Sequence, residues 1–213
     1  APEPDGAPAA DLQPCDTGRT WTYDARFGPG EPALRTTFVL LARERRFFPG
    51  WDRALPTPNL YLSFDGGATH LDKGLLPEVD GVLHLAREGL HRASWEYAPP
   101  IPLFGGAEAV PGASWKWSGR LRLRGEAGEY DGPSTALGRV EAREEVEVPA
   151  GVFPCWRTRV VHGEPPLEVL RWHAPGIGLV KERASLGGRV VYEADLLSFS
   201  LPGAGGDRNG AGP

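Results

Sequence analysis

The 213-residue chain carries a formal charge of −5 and has no Lys/Arg cluster dense enough to serve as a phosphate footprint, which excludes nucleic acid as a partner. Forty per cent hydrophobic content with seven Trp excludes wholesale disorder, and no apolar run approaches the length of a membrane-spanning helix. With 29 Gly and 22 Pro, the chain has roughly twice the usual share of turn formers, so it predicts many short connections and few long helices.

The opening "APEPDGAPAADLQP" is Pro/Ala-rich and aperiodic, and residues 1–14 are expected to be a flexible leader. Such a leader commonly lies between a cleavage site or lipid-anchor position and a folded domain, so an exported, N-terminally tethered protein is expected, with any anchor outside this chain. Cys15 and Cys155 then form a candidate disulfide closing a long loop; two unrelated thiols are the alternative.

Two short stretches share a pattern. "GRTWTY" (18–23) and "GASWKW" (112–117) both read Gly-x-[Thr/Ser]-Trp-x-aromatic, and each opens an alternating run. Trp21, Tyr23, Ala25 and Phe27 fall on one side of the first run. Trp115, Trp117, Gly119, Leu121 and Leu123 do so in the second, with Lys116, Ser118, Arg120, Arg122 and Arg124 opposite. A period of two over ten residues marks a strand with one buried face. Trp21, Tyr23, Trp115, Trp117, Leu121 and Leu123 are therefore the candidate apolar interior, and the pair of motifs suggests two related halves, 15–98 and 111–200.

Further strands are expected over 35–44 and 59–71, the latter a hairpin turning at Asp65-Gly66-Gly67, and over 81–98, broken near Glu88-Gly89. A short helix over 83–90 is the rival there. Residues 99–113 are expected as a rigid connector. The run 139–161 reads as a hairpin turned by Pro149-Ala150-Gly151, with Val148 facing Val152, Glu141 facing Arg159, and Cys155 beside Glu145. Strands follow at 167–174, 179–186 and 189–200, and 201–213 is expected as a disordered tail.

The fold class is thus all-β: ten to twelve antiparallel strands in one domain (15–200), arranged as a large curved sheet, a sandwich or a partial barrel. The order of the Trp motif, "PPIPL", the second Trp motif, "VPAGVFPCWRTRV" and "WHAPGIGLVKE" resembles a broad group of uncharacterised exported bacterial proteins, many of them lipoproteins. Their pattern is Gly-x-x-Trp-x-Tyr, Val-Pro-Ala-Gly-Thr-Phe-x-Cys and Trp-Tyr-Ala-Pro-Gly-Val-Gly-Leu-Val-Lys. The match covers about residues 18–199, with Val152, His173 and Ile177 standing where the group has Thr, Tyr and Val. The resemblance implies an antiparallel β fold and an envelope location, and carries no functional residues across.

No motif sets a catalytic, cofactor or metal site. The five His show no H-E-x-x-H spacing, although His162 and His173 would be neighbours if their strands paired so. "GIGLVKE" lacks the helix of a phosphate cradle, and "GASWKWSG" lacks the glycine spacing of a nucleophile elbow. The expected function is a non-enzymatic envelope module, binding or structural, that can hold an apolar small molecule or meet an envelope protein. The alternative is a hydrolase with a cleft built from loops 49–58 and 99–112.

Overall fold

The computed structural model describes residues 6–14, 18–46, 55–64, 72–79, 82–90, 93–106, 108–125 and 128–201. Near the N-terminus lie β1 (Ala7–Pro8) and a single helical turn, α1 (Ala9–Leu12). The first half then contributes β2 (Thr20–Arg26), β3 (Leu34–Arg46), β4 (Leu55–Phe64), β5 (Asp72–Val79), β6 (Val82–Leu90) and β7 (Ala93–Pro102). After β8 (Glu108–Ala109), the second half contributes β9 (Ser114–Gly125), β10 (Gly128–Val148), β11 (Gly151–His162), β12 (Leu167–Ala174), β13 (Gly178–Leu186) and β14 (Arg189–Ser200). Six of the twelve main strands precede β8 and six follow it, and a Trp-bearing strand opens each set.

Those twelve pair antiparallel in chain order. β9 bridges β7 and β10, and β14 returns to β2, so the ladder closes on itself as a barrel. Among the alternatives left by periodicity, the curved sheet is the one that forms, and its closure leaves no free strand edge along the ring. The helix rival over 83–90 is replaced by β6, and 99–102 belongs to β7 rather than to a connector. The tip of the 59–71 hairpin and residues 202–213 lie outside the described residues.

The alternation does its expected work on the second-half wall. In β10, Ser134, Ala136 and Val140 are buried while Thr135, Leu137 and Arg139 are exposed. Trp21, Tyr23, Trp115, Trp117 and Leu121 are all buried, and Leu123 packs on the same core half-buried. Trp115 fits because of two glycines. It faces Gly138 across the β9–β10 ladder, where a Cβ would stand 2.0 Å from the indole Cε2, and a Cβ on Gly105 would stand 2.5 Å from Cε3. The ring occupies the space a side chain would need, the usual way an aromatic covers a strand glycine.

The outer wall is charged and cross-linked. Arg120 and Arg122 meet Asp131 at 2.7 and 3.3 Å, Arg122 meets Glu96 at 3.2 Å, and Arg183 meets Glu193 at 3.3 Å. Each such exposed pair contributes little, because solvent and salt screen it. Together they line the outer faces of β7, β9, β10, β13 and β14 with charge. No helix among the described residues is long and apolar enough to cross a membrane.

Two expectations need correction. Residues 7–14 are not a free leader: β1 pairs with β8, Leu12 is fully buried, Gln13 is buried, and the Gly176 N–H donates to the Asp11 carbonyl. The hairpin register also differs. Gly151 pairs directly with Val148, so the turn has two residues, and a bulge between Val140 and Ala142 puts Val140 opposite Thr158. Glu141 still reaches Arg159, at 3.6 Å, and Arg157 at 2.8 Å.

Candidate functional site

The barrel interior contains polar groups that periodicity alone assigns no role. One inward row crosses the wall through Val140, Thr158, Arg171, Glu182, Ala194 and Ala25, each opposite the next. Within it the Arg171 Nε–H donates to Glu182 Oε1 at 2.7 Å, with side chains only 4% and 2% exposed. A buried pair of this kind is costly to break from one side, about 3–5 kcal/mol, since the survivor is left as an uncompensated charge.

A second row holds Trp117, Ala136 and His162. The His162 ring stacks on Tyr97 with centroids 5.7 Å apart and meets Trp117 edge-on at 6.0 Å. Its Nδ1 lies 3.4 Å from Ser134 Oγ, and its Nε2, also buried, has no hydrogen-bond partner among the described residues. Burial first, and then the nearby Arg171 charge, push the imidazole down to about 4. His162 is therefore neutral near pH 7.

This Ser–His contact is the feature that a hydrolase reading requires, and its geometry argues otherwise. Ser134 sits in mid-strand, not at the sharp bend that exposes a nucleophile. No carboxylate orients the ring among the described residues, and Glu182, the carboxylate of the neighbouring row, is engaged by Arg171. An imidazole held near 4 is also a weak base at neutral pH. Loop 49–54, half of the alternative cleft, lies outside the described residues.

The aromatic motifs are anchored individually. Trp21 Nε1–H donates to the Ile177 carbonyl at 2.6 Å, and the Tyr23 hydroxyl to the Leu179 carbonyl at 2.7 Å. Trp117 Nε1–H donates to the Pro99 carbonyl at 2.9 Å, whereas Trp115 Nε1 has no partner among the described residues. Phe104, at the rim packed by 7–14, meets His173 edge-on at 4.9 Å.

His162 and His173 are not brought together: His173 stands opposite Trp156, in the middle of β11, whereas His162 is at the strand's end. His70 and His91 lie outside the described residues, and no group of metal-ligating side chains forms among the described ones. The candidate disulfide does not form. Cys155 is a free, fully buried thiol opposite Glu144, not Glu145, while Cys15 lies outside the described residues. Burial, then the Glu144 charge, push the thiol up to about 12, so it stays protonated and unreactive.

At the opposite rim, where β11 ends and β12 begins, a half-open cleft of about 440 Å³ lies beneath the 163–166 connection and the Gly187-Gly188 turn. Val161, His162, Leu167 and Leu170 are among its lining residues, and the Gly187 N–H donates to the Pro166 carbonyl at 2.9 Å.

No protein-family model and no curated protein sequence matches the chain. Among solved structures, it is similar to a protein of Bacteroides fragilis NCTC 9343 described as exported and as having a YmcC-like fold. The TM-score is 0.50 and the identity 14%, over 89% of this chain and 98% of that one. A protein of Parabacteroides distasonis ATCC 8503 described as a lipoprotein aligns over the same shares of both chains, with a TM-score of 0.49 and 11% identity. The first of these likenesses supports the all-β antiparallel fold.

Proposed function

We propose that this chain is an exported β-barrel of the bacterial cell envelope that acts by binding, its aromatic-lined interior holding an apolar molecule. The observation that carries this reading is the inversion of the wall: charged pairs outside, and Trp21, Trp95, Trp115, Trp117 and Trp156 inside. A ring of twelve strands encloses more width than the eight that side chains fill unaided, which gives such an interior something to accommodate. The exported and lipoprotein descriptions of the two similar structures agree with an envelope location.

Native mass spectrometry of protein purified from its own envelope fraction, followed by solvent extraction, tests the reading. The expected result is an apolar adduct at one per chain, together with saturable binding of N-phenyl-1-naphthylamine that quenches Trp emission. Protein that carries no adduct and gives no saturable signal would be a structural module instead.

A further inference from the structure

We infer that residues 7–14 and 103–106, joined through β8, form a two-piece lid over one mouth of the barrel, and that the 7–14 piece opens ahead of the ring to admit the interior ligand. The route for the ligand rests on the interior reading proposed above; the lid does not.

The position of the lid follows from what it touches. α1 contacts β12 and β13 on one side and β6 on the other. β13 and β6 stand at opposite points of the ring, so a four-residue turn that meets both lies across the opening. The second piece closes from the side of β7. Leu103 and Phe104 are buried, and the Phe104 ring meets His173 of β12 edge-on at 4.9 Å. β1 and β8 join the two pieces, Ala7 opposite Ala109 and Pro8 opposite Glu108. At the far end of the first piece, Gln13 and Pro14 crowd the entry of β13 beside the Trp21 indole. A Cβ on Gly178 would stand 3.6 Å from both Gln13 Nε2 and Pro14 Cδ, and 3.4 Å from Trp21 Nε1.

What holds the lid differs from what holds the ring. Burial of Ala7, Leu12 and Ala109 secures it, with short backbone ties: the two-residue β1–β8 pairing, and the Gly176 N–H donating to the Asp11 carbonyl at 2.8 Å. By contrast, β10 pairs over twelve positions with β9 and over twelve with β11. Segments with short ladders and little buried surface open locally, at a fraction of the free energy of global unfolding. Residues 7–14 belong to no ring strand, so they can leave without parting a rung of the barrel, and their departure uncovers the Trp21 indole.

Native-state hydrogen exchange of the full chain in low urea tests the lid without any ligand. The Gly176 amide is expected to exchange about a hundredfold or more faster than those of Val160 and Val169, with a shallower urea dependence, because its opening exposes less surface. Leu12→Ala is expected to speed both Gly176 exchange and the entry of N-phenyl-1-naphthylamine, read by stopped-flow fluorescence, about tenfold or more. Gly176 exchange that tracks Val160 in rate and urea dependence, or that ignores Leu12→Ala, would overturn the lid. Naphthylamine entry that ignores Leu12→Ala while Gly176 exchange accelerates would overturn the route and send the ligand through the other rim. Early, Leu12-sensitive Gly176 exchange in protein that binds no naphthylamine would uphold the lid and sink the interior reading, the route with it.

Discussion

The two Trp motifs share a backbone and differ in what holds their rings. Gly18 has φ = 91° and Gly112 has φ = 90°, each immediately before a strand that turns its next aromatics inward. Yet Trp21 is tied by a hydrogen bond to the Ile177 carbonyl, while Trp115 is held by the flat space over Gly138 and Gly105. The second aromatics diverge as well: Tyr23 reaches the Leu179 carbonyl, whereas Trp117 leans on the titratable ring of His162. Recurrence of a sequence pattern here preserves strand entry and burial, and each copy finds its own means of fixing the side chain.

The largest expected difference between the motifs is in acid. With His162 near 4 in the folded barrel and near its ordinary 6.5 when unfolded, the unfolded chain binds the extra proton between those values. Stability is therefore fully present above about pH 6.5 and falls as pH drops toward 4, by on the order of 3 kcal/mol. Urea melts from pH 7.5 to 4 should show this slope in the parent protein and a shallower one in His162→Phe. An unchanged slope would mean that the second motif is not acid-sensitive through this ring.

A middle-sized effect separates the indoles. Trp→Phe removes the same atoms at both sites, but only Trp21→Phe strands a carbonyl, so it should cost about 1–2 kcal/mol more than Trp115→Phe. Equal losses in denaturant midpoint would show that Trp115 Nε1 also has a partner, such as an ordered water. The smallest expected difference is at the entry glycines. A Cβ on Gly18 or Gly112 meets nothing within 4 Å, so each Gly→Ala change is charged only for its positive φ, about 1 kcal/mol and equal at the two sites. Unequal values would break the equivalence of the two turns.

The same motifs mark how far the sequence could be read. Alternation from Trp115 onward exposes the buried face of β9 because Lys, Ser and Arg fill every other position. Closure of the barrel is not legible that way, since it depends on β14 meeting β2, as in the pairing of Thr20 with Ser200. The polar rows were missed for a different reason. Arg171 and Glu182 carry charges that read as outward, although Val169 and Ala184 share their parity and are buried. Likewise Ser134 and His162 follow the parity of Ala136 and Val160, and that parity was the available signal. The hairpin register failed first at the turn, where Gly151 pairs with Val148 and the turn has two residues instead of three, and a bulge at Glu141 then shifts the pairing by one more. The packed stretch 7–14 failed because Leu12 is a lone large apolar residue among Pro, Ala and polar neighbours, too short a signal to display a period.

The pairing of Thr20 with Ser200 also fixes an orientation. Both ends of the ring leave from one rim, while the 163–166 connection and the Gly187-Gly188 turn occupy the other. Labels at Ser200 and at Gly187 therefore report on opposite openings of the ring, so a change confined to one rim is separable from one that runs through the whole barrel.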